Sequence, residues 1–180
     1  MEPRAVIDAF DAFLRRESLS LQATIVGGSA IALLGILDRP TKDVDVLEPQ
    51  LPPDVLEAAK AFANSADLSL DEDWLNNGPS QLSSILPRGW RRRVQPVYRG
   101  QALSLDTLGR PDLLKTKLFA LCDRGTDRAD CIALKPTTDE LSEALPWVQE
   151  QDANPDWPAH VRQTLAELGR ALGHGGGRGS

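Results

Sequence analysis

The spacing of hydrophobic residues predicts a helix at the start of the chain and a strand soon after it. Between Pro3 and Arg16, apolar side chains recur at the three- and four-residue intervals of a helix, and proline is tolerated in its first turn. Residues 23–26 form a short apolar run that ends at two glycines, which predicts a strand broken by residues with free backbone torsions. A further apolar run, 30–37, predicts a helix that Ser29 opens.

The later pattern predicts further strands and helices. Residues 43–47 alternate polar and apolar positions, as a strand does when Val44 and Val46 face a core. A helix of about ten residues is predicted to follow Pro52 and Pro53 and to end near Ala63. The remaining predictions are a possible strand at 68–70, a turn-rich segment at 71–79, a hairpin from 93–98 and 102–105, helices at 111–122, 127–134, from 138 to before 154 and at 158–172, and a flexible tail at 173–180.

Composition places the chain among ordinary globular proteins. Its 180 residues are enough to form one domain with a buried core. Because 41% of the residues are hydrophobic and 26% are charged, the composition excludes a largely disordered chain. No apolar run approaches the 18 residues that suggest a membrane span, and the first ten residues do not resemble a signal peptide. We therefore expect a cytoplasmic protein with no membrane partner. The two cysteines, Cys122 and Cys131, lack metal-ligand spacing and are predicted to be small buried hydrophobic residues.

Charge is distributed unevenly along the chain. The net charge of −6 argues against binding of nucleic acid by the whole surface. Locally, however, five of the fifteen arginines fall within twelve residues, with Trp90 and Tyr98 among them: Arg88, Arg91, Arg92, Arg93 and Arg99. Arginine and aromatic side chains together suit phosphate binding and base stacking, which predicts an RNA-binding patch. A hairpin edge protected by charge is the alternative interpretation.

The segment Gly27-Gly28-Ser29 has the form of a phosphate-binding turn. It joins a predicted strand to a predicted helix, so that backbone N–H groups and the positive end of the helix face the same point. The Ser29 hydroxyl adds one more donor. The alternative is that Ser29 is an ordinary N-cap of the helix.

Asp43 and Asp45 are the strongest candidate metal ligands. They stand two residues apart on a predicted strand and therefore share one of its faces. Two neighbouring carboxylates repel each other unless a cation lies between them, and oxygen ligands favour Mg²⁺ or Mn²⁺. The solvated face of an edge strand is the alternative.

Together these two segments resemble the core motif of the polymerase-β-type nucleotidyltransferases. A second block, Lys117-Leu118-Phe119-Ala120-Leu121 followed by Arg124, Asp127 and Asp130, resembles a helical element of the AbiEii-like toxin group, minimal nucleotidyltransferases of bacterial toxin–antitoxin systems. The two blocks span about residues 23–134. The resemblance implies an α+β fold, a small mixed sheet flanked by helices, with a nucleotidyltransferase-like domain at 1–134, a C-terminal helical extension at 135–172 and a tail at 173–180.

The resemblance also implies roles for individual residues. The turn of Gly27, Gly28 and Ser29 would hold the phosphates of a nucleoside triphosphate, and Lys117 would reach them as a point charge. Asp43 and Asp45 would coordinate Mg²⁺ or Mn²⁺, and a nucleoside monophosphate would pass to an RNA or protein hydroxyl. A cognate antitoxin is a possible partner. Asp130 would position the acceptor or act as a base.

Several of these assignments have alternatives. The third metal ligand of the superfamily has no motif here, so Asp106 is the first candidate and Asp71 the second. Lys117 is the better choice over Lys115, although a helical lysine often extends into water. Arg124, Asp127 and Asp130 form an exposed ion-pair ladder in the alternative interpretation. For the chain as a whole, the alternative is a non-catalytic binding module, which holds a nucleotide or a partner protein without catalysing transfer.

Overall fold

The architecture is that of an α+β protein, as predicted. A computed structural model of the chain describes residues 3–37, 43–65 and 70–174. Its helices and strands, with short 3₁₀ turns at 78–81 and 90–92 between them, are α1 (Pro3–Arg16), β1 (Leu21–Val26), α2 (Gly27–Leu33), β2 (Val44–Glu48), α3 (Pro53–Ser65), β3 (Leu75–Asn76), α4 (Leu82–Ile85), β4 (Gln95–Arg99), β5 (Leu103–Thr107), α5 (Arg110–Arg124), α6 (Arg128–Leu134), α7 (Thr138–Gln149) and α8 (Trp157–Ala171).

The chain divides into two units, Met1–Gly109 and Arg110–Ser180. All five strands lie in the first unit, whereas α5 to α8 make up the second. The expected domain boundary at residue 134 falls inside the second unit, because α5 packs against α6, α7 and α8 of its own unit. Over the described residues, no helix combines the length and the apolar character that crossing a bilayer requires.

The first unit is built on a mixed sheet with the strand order β3-β2-β1-β5-β4. The central strand β1 pairs antiparallel with β2 and parallel with β5, while β3 and β4 form the edges. The register of β1 and β2 shifts by one residue between Thr24 and Ile25, so that Leu47 is passed over as a bulge. Because of this shift, Glu48 pairs with Thr24, and Asp45 pairs with Val26.

The two faces of the sheet differ in polarity. Leu21, Ala23 and Ile25 of β1 pair with Leu103, Leu105 and Thr107 of β5. The five apolar residues of these pairs belong to a core that also holds side chains of α1 and α3. The rings of Phe10, Phe62 and Trp74 meet in this core at centroid distances of 4.9–5.7 Å. The opposite face, which we call the polar face, carries Gln22, Thr24, Asp45, Glu48, Ser104 and Asp106.

The second unit is helical and has its own apolar core. Leu113, Leu114 and Leu118 of α5 are at most 2% exposed, as are Val148 of α7 and Val161 of α8. Helix α7 begins with a capping box, in which the Thr137 side chain accepts a hydrogen bond from the backbone of Glu140 and the Glu140 side chain accepts one from Thr137. The burial of Leu113, Leu114 and Leu118 confirms the apolar stripe predicted for α5.

Most predicted elements are present with shifted ends, and two differ. Helix α2 covers Gly27–Leu33, so it begins at the first glycine and not at Ser29. A short strand, β3, lies in the segment predicted to be turns, because Leu75 pairs with Val44. The predicted strand at 68–70 lies largely outside the described residues, as do the loop at 38–42 and the end of the predicted tail.

Candidate functional site

The glycine turn and Asp45 lie in direct contact. Gly27 follows β1 with a φ of +79°, a conformation that suits glycine. A Cβ atom at this position would lie 2.6 Å from Oδ2 of Asp45. Position 27 therefore excludes a side chain for two reasons, its backbone conformation and the carboxylate packed against it.

The pairing of β1 with β2 produces this contact. Val26 is the last residue of β1, and its partner on the antiparallel neighbour is Asp45. The carboxylate is consequently presented where the chain leaves the sheet and enters α2. Val44 and Val46 are 5% and 0% exposed on the other face, which confirms the predicted alternation.

Ser29 ties the start of β2 to α2. Its side chain is almost fully buried, and its hydroxyl donates a hydrogen bond to the backbone carbonyl of Asp43. The N-cap of α2 is Val26, with no side-chain cap, so the interpretation of Ser29 as an N-cap is wrong. The hydroxyl is committed to Asp43 in this structure, and a phosphate contact of Ser29 stays a prediction.

Asp43 and Asp45 offer the oxygen donors that Mg²⁺ prefers. Asp43 is exposed and Asp45 half-buried. A three-carboxylate centre is not assembled, however: within residues 3–37, 43–65 and 70–174, no group of three His, Cys, Asp or Glu side chains is placed to hold a metal ion. The carboxylate oxygens of Asp43 and Asp45 are of the type that binds a divalent cation. Asp106, the expected third ligand, does not join them in a three-carboxylate metal site.

Asp106 has a different partner. It lies on β5, across β1 from β2, and the Arg99 guanidinium forms an ion pair with its Oδ1. The same guanidinium donates hydrogen bonds of 2.8 Å to the carbonyls of Tyr98 and Leu105. These bonds hold Arg99 in place and compensate the charge of Asp106. Asp71, the second candidate, is exposed in the turn before Trp74.

The arginine patch is only partly a free cationic surface. Arg91 chelates Glu48, with its Nε 2.9 and 3.0 Å from the two carboxylate oxygens, and its guanidinium lies 4.5 Å from the centroid of the Trp90 ring. Arg93 donates to the carbonyls of residues 87 and 88, and Arg88 and Arg92 are exposed. The prediction that Trp90 and Tyr98 stack on bases is wrong, because they are only 3% and 6% exposed.

In the second unit, Lys117 lies in a buried ion cluster. Its Nζ is 2.7 Å from Asp130 and 3.4 Å from Asp127, and Lys117 and Asp130 are 6% and 1% exposed. Lys117 therefore does not extend into water, and Asp130 is not part of an exposed ladder; both alternative interpretations are wrong. Arg124 is exposed beside Asp123. The assignment of Lys117 to a triphosphate stays a prediction.

The two cysteines are buried and free, as predicted. Desolvation raises the pKa of the Cys122 thiol to about 11 and that of Cys131 to about 12. Thiolate, the reactive form, is therefore scarce at neutral pH. Neither cysteine is a candidate nucleophile.

Sequence analysis missed two polar residues that hold the first unit together. Asp11 is buried in α1 and accepts hydrogen bonds from the backbone of residues 101 and 102, in the turn before β5, and of Leu103, the first residue of β5. Burial raises its pKa, but these bonds and the charge of Arg15 outweigh that effect and leave the pKa below its ordinary value. Asn77 donates to the carbonyls of Val46 and Pro49 and accepts from Leu51. A lone acid within an otherwise apolar helical stripe was the only available signal for Asp11.

The fold is nucleotidyltransferase-like: a mixed sheet in which a glycine turn leads from one strand into a helix, while an acidic strand runs beside it. Comparison with protein-family models agrees. Residues 5–139 match the family described as "Nucleotidyltransferase of unknown function (DUF6036)", and the chain belongs to this family. Neither the curated proteins nor the solved structures that were compared include a match.

Proposed function

We propose that this protein transfers a nucleoside monophosphate from a nucleoside triphosphate to a hydroxyl group of an RNA, such as a tRNA end, or of a protein. The observation that carries the proposal is the contact between the Asp45 carboxylate and the glycine turn at Gly27. Family membership supports the reaction class. A phosphate at the turn and a cation at Asp45 would then be neighbours.

The roles of the residues follow from this arrangement. The backbone of Gly27 and Gly28 would bind phosphate oxygens, and Asp43 and Asp45 would hold Mg²⁺ or Mn²⁺. The cation supplies charge neutralisation for the triphosphate when it is bound. Positioning and electrostatics provide most of the catalysis in phosphoryl-group chemistry, so the side chains need not form a covalent bond to the substrate.

A role as the toxin of a toxin–antitoxin pair is a further part of this proposal. It rests on the resemblance of the block from Lys117 to Asp130, and the cluster that these residues form gives that block a defined structure. Co-expression of the neighbouring gene tests it: rescue of growth arrest by that gene product is expected, and full growth without it contradicts the toxin role.

Transfer is tested by incubating the protein with each α-labelled nucleoside triphosphate, Mg²⁺ and either total RNA or cell lysate. We expect a labelled RNA or protein, and we expect Asp45→Asn to abolish it. Glu57→Gln, which removes an exposed acid of α3, is the matched control and should keep the activity. Absence of label in every fraction would contradict the reaction, and activity in the Asp45 variant would contradict the site.

The second candidate function is binding without transfer. It is favoured by the ion pair of Arg99 with Asp106, which engages the carboxylate expected to complete the metal centre. In this case the protein binds a nucleoside triphosphate, releases it unchanged and retains the binding after Asp45→Asn. Equilibrium binding measured beside the labelling assay separates the two functions.

A further inference from the structure

The second unit contains a cavity that the proposed transfer reaction does not use. It has a volume of about 300 Å³, at the lower limit of small-molecule sites, and lies between α7 and α8. We call it the α7–α8 cavity. Nine of its ten lining residues follow residue 139, where the match to the nucleotidyltransferase family ends. Membership of the family therefore does not account for this cavity.

The floor of the α7–α8 cavity is apolar. Leu141 and Leu145 of α7 line it together with Leu165 of α8. Leu141 and Leu165 are only 8% and 6% exposed, so the cavity reaches down to buried side chains of the unit. A ligand that covers this floor gains most by bringing an apolar body, because removal of apolar surface from water is favourable.

Gly169 leaves part of this space open. Alanine is more favourable than glycine within a helix, and Gly169 lies in α8. A Cβ atom at position 169 would lie 3.7 Å from Cδ1 of Leu141 and from Nδ1 of His174, which is ordinary van der Waals contact. Packing therefore does not require glycine here, and a side chain at this position would reduce the free volume beside the leucines.

The charged residues around the floor favour an anionic group. Arg162, Arg170 and His174 line the cavity, and no acidic side chain of the described residues does so, although the net charge of the chain is −6. The ion pairs among the described residues of this unit engage other cations. The positive charge of the two arginines is therefore available to a ligand.

Arg170 and His174 lie at the same end of the cavity. Both belong to the Schellman motif that ends α8, in which the backbone of Gly173 donates to the carbonyl of Arg170 and the backbone of His174 donates to that of Gly169. The motif fixes the backbone that carries the His174 ring. Arg162 lies eight residues before Arg170, about 12 Å away along the helix, and marks the opposite end.

The size and shape of the cavity favour a small, extended molecule. Its lining positions cover two turns of each helix, at residues 138–145 and 162–170, so the cavity is elongated. A stable protein interface uses about 20–30 residues from each partner, whereas ten residues line this cavity. A flexible hydrocarbon chain fits these dimensions better than a folded partner does.

We propose that the α7–α8 cavity binds a small carboxylic acid with an unbranched hydrocarbon chain, of the class of medium-chain fatty acids. The carboxylate pairs with Arg170 beside His174, since guanidinium and carboxylate form strong, charge-assisted hydrogen bonds. The chain lies on Leu141 and Leu165 and extends toward Arg162. This binding goes beyond the proposed transfer reaction and does not depend on it.

NMR titration of the full ¹⁵N-labelled chain tests the binding, with octanoate, hexanoate and 1-octanol as probes. Octanoate should shift the amide signals of residues 138–145 and 162–174. It should bind about tenfold more tightly than 1-octanol, as loss of hydrogen bonds to a charged group predicts. It should also bind about four- to fifteenfold more tightly than hexanoate, because it buries two more methylene groups. Absence of shifts in these two segments, or equal affinity for octanoate and 1-octanol, overturns the inference.

Two charge variants locate the carboxylate. Arg170→Gln should reduce the preference for octanoate over 1-octanol to within about threefold of unity. Arg162→Gln removes the same charge at the opposite end of the cavity and should keep the preference. The amide spectrum confirms that each variant is folded. An unchanged preference in folded Arg170→Gln contradicts the proposed site.

Two phenylalanine variants test whether the ligand occupies the cavity. Ala166→Phe places a ring among the lining residues and should weaken octanoate binding about tenfold or more. Ala171→Phe adds the same ring at an exposed alanine of α8 outside the lining and should have little effect. Undiminished binding by folded Ala166→Phe overturns the inference.

Sedimentation of the unliganded protein examines a second copy as the competing occupant. A dimer that Ala166→Phe converts to a monomer would mean that another chain covers the cavity, and this result overturns the inference. A monomer, or a dimer that this variant leaves intact, supports it. Asp45→Asn should bind octanoate as the unmodified protein does, so failure of the transfer reaction and failure of this site are separate results.

Discussion

Replacement of Gly27 by alanine tests the geometry on which the candidate site depends. The φ of +79° alone costs an alanine about 1–2 kcal/mol. The new Cβ would also lie 2.6 Å from Asp45 Oδ2, so the carboxylate must move. Overpacking of this kind costs about 1–3 kcal/mol. We therefore expect Gly27→Ala to lower the free energy of unfolding by about 2–5 kcal/mol, the sum of the two effects.

Gly35 provides a matched control. Its φ is +69°, but a Cβ atom there would meet nothing within 4 Å. Gly35→Ala should therefore cost only the backbone term, about 1–2 kcal/mol. Urea titration followed by circular dichroism gives both values, and equal slopes of the transitions confirm that the variants are comparable.

A double-mutant cycle isolates the contact itself. Asp45→Ala removes the atoms at 2.6 and 3.6 Å and leaves only an ordinary contact at 3.7 Å. In that background Gly27→Ala should cost no more than Gly35→Ala, which gives a coupling energy of about 1–3 kcal/mol. Equal costs of Gly27→Ala with and without Asp45 would mean that the carboxylate does not lie against the turn, and the site would lose its basis.

Three further predictions concern stability and thiol reactivity. Lys117→Met leaves two carboxylates without their cation and should cost about 3–5 kcal/mol in urea titration, whereas Lys115→Met should cost under about 1 kcal/mol; similar costs would contradict the buried cluster. Asp11→Asn should cost about 1–3 kcal/mol at pH 7. Because the folded-state pKa of Asp11 is lowered, its contribution to stability is present above the ordinary value of 3.8 and is lost as the pH falls through the folded-state pKa. The difference in stability between wild type and variant should therefore shrink in thermal melts as the pH is lowered below 3.8, and a constant difference would refute this. Cys122 and Cys131 should react with a thiol reagent at pH 8 only as the protein unfolds, and rapid labelling of the native protein would contradict their burial.

The sequence determined the elements and the principal motif. Helical spacing in α1 and α5 and the alternation around Val44 are local patterns that report burial directly, and the structure has these elements within a few residues. Two glycines after an apolar run indicated the turn, because only glycine adopts such a conformation at low cost. The α+β class and the nucleotidyltransferase superfamily were implied by the resemblance of the Gly27-Gly28-Ser29 and Asp43–Asp45 segments to the polymerase-β-type core motif, and the family match agrees with the superfamily.

Only the tertiary structure decided which side chains meet. The pairing of Asp45 with Val26 and of Thr24 with both Glu48 and Asp106 depends on strand order and on one bulge, neither of which leaves a local trace in the sequence. The same is true of Arg99, which engages Asp106, the carboxylate that the family resemblance had suggested as the third metal ligand. Hydrophobic periodicity along the chain indicates which residues face the core. The partners of polar side chains, in contrast, depend on contacts between residues far apart in the chain, and these contacts form only when the strands have paired.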